Sequence, residues 1–412
     1  MILAERLNGL KLFTRFILYC LVFFNAKKHL FFQSIENIFL LLVAIILYFF
    51  ISKSIKIKNC RMIWRKRGRK AFILKSVYLP YMYDKIKENV SDELILLEKE
   101  LKDLLQSEVY LLDEILNHIN GNRGKRLRPV VMFLVSNLFG KEETLQRKLI
   151  DYAVAIEALH QATLVHDDVV DDSKERRGKP SVNSIWNNKA SVLVGDYMFA
   201  KAFDVIYRYK NFEVLKIASN TMKVMTEGEL LALKFINTLS QTEEDYYRII
   251  YSKTASLIET SCRIAGMTYT DNLELIDSLA EFWKNIGMGF QMRDDLFDYT
   301  DDNKLIGKPV GNDIKEHQIT LPLIYALNNS SAMEREPILS ILKLSTISDV
   351  KISDAQIKDV ISFTKAMGGL TYTENKAKNF VNKAIKCLEI FPDGNAKDKL
   401  IDFARYMVER EK

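Results

Sequence analysis

Hydrophobic periodicity becomes regular at Tyr81. Val90, Leu94, Leu97, Leu101, Leu104 and Leu105 recur mostly at spacings of three and four, which predicts helix through to His118. Gly121-Asn122-Arg123-Gly124-Lys125-Arg126-Leu127-Arg128-Pro129 interrupts the pattern. Glycines among cations predict a loop, and Pro129 suits the first turn of the next helix. Val130–Leu138 and Leu149–Val170 read as nearly buried apolar helices. No proline falls between Pro180 and Pro309, and that interval is rich in Ala, Leu, Met, Lys and Glu, so it predicts several long helices. Thr320-Leu321-Pro322 starts another. Shorter helices are expected at Glu336–Leu344, Ser353–Met367, Thr373–Leu388 and Ala396–Glu411, with Gly368-Gly369 and Phe391-Pro392-Asp393-Gly394 between them. No alternating strand of useful length occurs. The predicted class is all-α.

The first seventy residues follow another pattern. Phe16–Phe24 is a short apolar run, and Ile38–Ile51 is a longer one that extends to Ile35 across Glu36 and Asn37. A spanning helix needs about 20 apolar residues, so the second run is marginal, and the first spans only as Leu10–Phe24 despite Arg15. Residues 52–70 carry nine Lys or Arg and no acid. Such a block stays on the cytoplasmic side and would leave the rest of the chain there too. Three readings stay open: a membrane tether through residues 10–52, a targeting segment, or an upstream extension with translation starting at Met62 or Met82. The absence of a small-residue cleavage site weakens the second. The expected organisation is an extension at 1–70 and a catalytic domain at 71–412, cytoplasmic and tethered if the first reading holds.

Composition narrows the class. The 412 residues are 48% hydrophobic and 27% charged, enough for a sizeable core. Of the net +6, residues 52–70 supply +9 and residues 1–51 supply +3, so residues 71–412 carry −6. A nucleic-acid-binding core would show a basic footprint, so no nucleic acid is expected as a partner. Cys20, Cys60, Cys262 and Cys387 are scattered with no Cys-x-x-Cys pair, which suggests neither a zinc site nor a disulfide framework.

The chemistry concentrates in Asp167-Asp168-Val169-Val170-Asp171, at the end of a predicted helix and followed by Arg176-Arg177-Gly178. On a helix Asp167 and Asp171 lie one turn apart on one face, with Asp168 beside them. Like charges in a half-apolar setting repel and are costly to desolvate, so a cation is expected to offset them. Carboxylates without Cys or a His pair favour a hard ion such as Mg2+, which keeps open positions for phosphate oxygens. Asp294-Asp295-Leu296-Phe297-Asp298 repeats the spacing 127 residues later. The basic loop is either an ordinary surface turn or one that presents Lys125 and Arg128 to a phosphate near a helix amino terminus.

In these motifs the chain resembles the trans-type polyprenyl diphosphate synthases. The matching residues, in order, are Gly124 to Pro129, His160 to Arg177, Gly195-Asp196, Lys253-Thr254, Phe290-Gln291 with Asp294 to Asp298, and Gly307-Lys308-Pro309 with Asp313. They cover roughly residues 85–412; residues 1–70 lie outside the resemblance. The resemblance implies the isoprenoid synthase fold, a bundle of long helices around an apolar cavity. It implies head-to-tail condensation of isopentenyl diphosphate with an allylic diphosphate, two or three Mg2+ ions, and a homodimer.

By the same resemblance, Asp167 and Asp171 with Asp168 supporting, and Asp294 with Asp295 and Asp298, hold the ions that bridge to the allylic diphosphate. Asp167, Asp171 and Asp294 are the metal ligands expected first. Arg176, Lys253 and Lys308 contact that diphosphate, and Lys125, Arg128, His160 and Arg177 bind isopentenyl diphosphate. Thr254 and Gln291 lie near the reacting carbons and the allylic diphosphate, where their polar atoms stabilise the cation. His166 is structural, and the released diphosphate takes the proton. Thr163 and Ala162, four and five positions before Asp167, face a product tunnel where short-chain enzymes of the family often carry an aromatic. Small residues there imply a medium to long product of octaprenyl type; the alternative is a shorter geranylgeranyl or farnesyl product. A terpene cyclase would lack the second Asp-rich motif and the Lys125/Arg128 site, and a non-catalytic subunit would have lost one motif.

Overall fold

The computed structural model describes residues 86–122, 124–140, 142–236, 238–300, 311–347 and 352–409. All lie within 74–412, one of the two units into which the chain divides. The apolar runs and basic block of residues 1–70, Met62, Met82 and Lys308 lie outside the described residues.

The leucine pattern expected to run unbroken to His118 is two helices, α1 (Ser91–Leu104) and α2 (Tyr110–Gly121). Ser107 divides them. Its N–H donates to the Asp113 carboxylate (3.3 Å), and its hydroxyl accepts from the Val109 N–H (3.1 Å). Such local bonds compete with the helical ladder. Leu97, Leu101, Leu104 and Leu105 are buried, as their spacing requires. α3 (Leu127–Ser136) carries Pro129 in its first turn and is buried over nearly its whole length.

α4 (Glu143–Val170) is the long helix that ends in the first acidic motif. Beyond it Glu175–Arg176 (β1) pairs antiparallel with Lys179–Pro180 (β2), a ribbon too short to leave a pattern in the sequence. α5 (Val182–Trp186) leads into α6 (Asn188–Arg208), which lies against most of α4, and α7 (Phe212–Ile236) follows. α8 (Glu243–Ile250) opens with a Thr242/Asp245 capping box, runs through a π-turn at Tyr251–Ala255 and continues as α9 (Ser256–Tyr269). α10 (Leu273–Phe297) ends in the second acidic motif.

The rest is α11 (Asn312–Lys315), α12 (Leu321–Asn328), α13 (Ala332–Ile347), α14 (Asp354–Ala366), α15 (Gly369–Cys387) and α16 (Asn395–Glu409). α15 packs along α10, and α16 lies against α3 and α10. Phe133, Phe282, Trp283 and Phe403 fill the core there. The class is all-α, as the pattern predicts. Among the described residues no helix is long and apolar enough to cross a membrane.

Candidate active site

Both acidic motifs stand at carboxyl-terminal helix ends, with Asp171 capping α4 and Asp298 capping α10. Unsatisfied carbonyls already make such ends negative. Extra carboxylates there are unfavourable until a cation arrives. Asp167 shows the strain: burial, Glu229 and Asp171 raise its carboxyl to about 6, although Lys253 and Arg176 pull the other way. Asp168 faces elsewhere. It is 4% exposed, and its Oδ1 accepts from Arg176 Nε and Nη2 at 2.8 and 2.5 Å. Arg176 is therefore held by Asp168.

Lys253 and Thr254 sit on the π-turn, an irregularity that often marks functional positions. Lys253 Nζ stands 3.5 Å from Glu229 on α7. Burial opposes its charge, but Glu229, Asp171 and Asp167 outweigh burial and hold its pKa above the ordinary value. The same ammonium lowers the pKa of Asp295 and Asp313, so it lies within electrostatic reach of both motifs.

The second motif is organised by neutral donors. Asp295 accepts from Gln291 Nε2 on one oxygen (2.9 Å) and from the Tyr246 hydroxyl on the other (2.6 Å). Thr254 donates to Gln291 Oε1 at 2.6 Å. Burial and Asp294 still raise Asp295 to about 6. Asp298, expected to help hold an ion, has both oxygens engaged: Oδ1 accepts from the Asn312 N–H (2.8 Å) and Oδ2 from the Asp313 N–H (3.0 Å). It holds the first turn of α11, because two adjacent backbone donors there point at it. Burial, Asp295, Asp298 and Glu316 raise Asp313 to about 8. Among the described residues no three His, Cys, Asp or Glu side chains converge closely enough to hold a metal by themselves.

A different site lies about two turns earlier along α4. Arg126 has left-handed φ (57°) and is locked between Glu98 (2.6 Å) and Glu157 (2.7 Å). Arg128 follows, and its buried Nε has no hydrogen-bond partner. Burial pushes the Arg128 guanidinium down to about 10, with Glu157 opposing and Arg177 adding to the push. Arg177, also left-handed (φ 54°), donates Nη1 to the Asn122 carbonyl at 2.9 Å. Gly124 lets it pass, since a Cβ there would stand 2.5 Å from Arg177 Nη2. His160 lies in the same cluster. Burial, then Arg128, Arg177, Arg176 and Arg126, hold its pKa well below the ordinary value. Lys125 is exposed at the rim. Crowded, partly desolvated cations with an unmet N–H donor make a site for an anion that needs no metal.

Thr163 is half-buried, and its hydroxyl donates to the His160 carbonyl (2.8 Å). Ala162 is fully buried. His166 packs against α6. Its Nε2 lies 3.0 Å from the Val192 carbonyl, in space that a Cβ on Gly195 would fill.

The sequence profile of the polyprenyl synthetase family matches residues 109–360. Octaprenyl diphosphate synthase of Escherichia coli (strain K12) is 33% identical over 329 residues, 80% of this chain and 99% of that protein. The chain belongs to the polyprenyl synthetase family. It is a trans-prenyltransferase with the all-α isoprenoid synthase fold. Among solved structures, a Caulobacter crescentus CB15 polyprenyl synthase complexed with calcium and isoprenyl diphosphate superposes with a TM-score of 0.73 at 30% identity, covering 80% of this chain and 98% of that one. A geranylgeranyl pyrophosphate synthetase from Pyrococcus horikoshii Ot3 gives 0.73 at 32% identity, covering 81% and 99%. Synthases of this family use isopentenyl and allylic diphosphates.

Three contributors to the synthase site escape sequence reasoning. Tyr246 is seven residues before Lys253, and two helical turns could have suggested a shared face. Glu229 and the Glu98/Glu157 pair on Arg126 carry no local signal, because their partners lie far along the chain.

Proposed function

We propose that the chain condenses isopentenyl diphosphate with an allylic diphosphate, with Mg2+, to an all-trans polyprenyl diphosphate of medium to long chain, octaprenyl diphosphate being the central expectation. One observation carries the reading: α4 presents two unlike sites for diphosphate. Asp167 opens toward Lys253 and Glu229, whereas His160 opens toward Arg128 and Arg177. The acidic site suits an anion that arrives with cations, and the basic site, about two turns earlier on α4, one that arrives without.

The acidic donor set fits a hard ion, being all oxygen, crowded, and placed at negative helix ends. Asp167, Asp171 and Asp294 would hold Mg2+, which supplies charge neutralisation to the leaving diphosphate. Lys253 adds a fixed positive charge beside it. The allylic C–O bond breaks with both electrons going to diphosphate. The isopentenyl double bond then attacks the allylic carbon, forming the new C–C bond and moving the cation onto the isopentenyl unit. Loss of a proton to the released diphosphate restores a double bond. Arg128, His160 and Arg177 keep isopentenyl diphosphate oriented throughout, and neutral His160 contributes a hydrogen bond without added charge.

Thr163 supports an open product tunnel because it is small and half-buried, with its hydroxyl spent on the His160 carbonyl. Thr163→Phe should shorten the product; it is a better probe than Ala162→Phe, whose site is already full. The apolar, exposed Leu193, Tyr207, Phe212 and Leu230 on α6 and α7 support a homodimer, to be measured by light scattering. A tether in residues 10–52 would keep the catalytic residues cytoplasmic; recovery of soluble protein starting at Met62 or Met82 would refute it. The deciding assay is full-length protein with farnesyl diphosphate, labelled isopentenyl diphosphate and Mg2+. Labelled polyprenyl diphosphate is expected, and its length separates octaprenyl from geranylgeranyl. A cyclic hydrocarbon, or no turnover by folded protein, defeats the proposal.

A further inference from the structure

The hydrogen-bond directions around the second motif permit a deduction. A carboxylate only accepts, so Gln291 turns its amide nitrogen to Asp295 (2.9 Å) and its carbonyl oxygen to Thr254. That carbonyl also only accepts, so the single hydroxyl proton of Thr254 goes to Gln291 (2.6 Å). Thr254 then has only lone pairs left for a group in front of it. Tyr246 closes the other end, donating to the second Asp295 oxygen at 2.6 Å. Its side chain is 2% exposed, so it is an interior support. The chain of donors links α8, the π-turn and α10, three segments that meet at Lys253.

We propose that Tyr246 is a positioning residue: its hydrogen bond fixes Asp295 and, through Gln291, holds the Thr254 hydroxyl with its lone pairs toward the reacting allylic carbon. The proposal rests on the synthase reading of the site. Without Tyr246, Asp295 loses one of its two anchors and can rotate. The Gln291 amide is then free to turn over. Thr254 can point its proton, a partial positive charge, at a carbon becoming positive. The loss falls on the step that develops charge and leaves the binding of both diphosphates alone.

The test is a double-mutant cycle of Tyr246→Phe and Thr254→Val in the full chain with Mg2+, farnesyl diphosphate and isopentenyl diphosphate. Tyr246→Phe should lower kcat about ten- to a hundredfold, the size expected of one hydrogen bond to a charged group, with both KM values unchanged. With Val at 254 the same change should have little further effect. Multiplying effects, an unchanged kcat, or a change confined to KM would overturn the proposal. Thermal unfolding checks that Tyr246→Phe folds. If it does not, Gln291→Met with Thr254→Val runs the cycle one bond nearer the substrate, where additivity again overturns the relay. A wild-type protein without turnover would sink the synthase reading and the relay together.

Discussion

The two acidic motifs share a spacing, a helix end and a cap position, yet their carboxylates are held by different means. In the first, Asp168 is committed to a cation, Arg176, while Asp167 remains among other acids with Lys253 as a distant counter-charge. In the second, Asp295 and Asp298 have every oxygen engaged, and no cation is among the donors: they are an amide, a phenol and two backbone N–H groups. The first arm is thus balanced by charge and the second organised by hydrogen bonding. Substitutions that alter charge should act mainly on the first, and loss of single donors mainly on the second.

The largest expected effect is at Asp167. Asp167→Asn keeps the shape and removes the charge that the proposed mechanism assigns to metal. Its kcat should fall on the order of a thousandfold, comparable to losing a principal electrostatic contact in a transition state. Metal-free stability should rise at the same time, because the carboxyl that burial and Glu229 disfavour is gone. Steady-state kinetics beside thermal unfolding checks both; a fall in melting temperature would show that the charge is better compensated than its surroundings imply. Asp168→Ala should do the reverse to stability. It breaks a largely buried pair and strands Arg176, costing about 3 kcal/mol, to be read from denaturant unfolding.

This contrast explains what was legible beforehand. The all-α class, the two motifs and the cationic loop are local: each is written in a few consecutive residues whose spacing has one physical meaning. The commitments inside the motifs are not. Tyr246 reaches Asp295 across 49 residues of chain, and Glu229 reaches Lys253 from a separate helix. Nothing in Asp-Asp-x-x-Asp reveals that Asp298 will hold the first turn of α11. The break between α1 and α2 was hidden for a related reason: leucine spacing continues in register while Ser107 and Asp113 end the ladder. The π-turn under Lys253 leaves no compositional mark at all.

A smaller effect lies in the pH dependence of the first arm. The folded Asp167 carboxyl is raised to about 6 from an ordinary value near 4. The sign follows from the folded state binding the proton more tightly than the unfolded one. Its contribution is fully present below about pH 4 and is lost as pH rises through about 6. In metal-free protein, wild type and Asp167→Asn should therefore melt together near pH 4. By pH 7 wild type should melt a few degrees lower, for a difference on the order of 1 kcal/mol. Added Mg2+ should narrow that gap, since a bound cation favours the ionised form. A gap that is constant with pH would mean that the charge of Asp167 is not the source.

The smallest and most local effect tests the second arm. Asp298→Ala removes two acceptors at once, leaving the N–H groups of Asn312 and Asp313 without their carboxylate. Global stability should move little, because the change also takes a buried negative charge away from Asp295 and Asp313. The first turn of α11 should loosen where the donors were. Amide hydrogen exchange at Asn312 and Asp313 should accelerate several-fold, in line with about 1 kcal/mol per lost hydrogen bond. Exchange on α4 near Asp167 should not change, because the donors that hold Asp295 and Asp298 are not those that hold Asp168. If the α4 amides also speed up, the arms are mechanically joined through Lys253, and the division into a charge-balanced arm and a hydrogen-bonded arm fails.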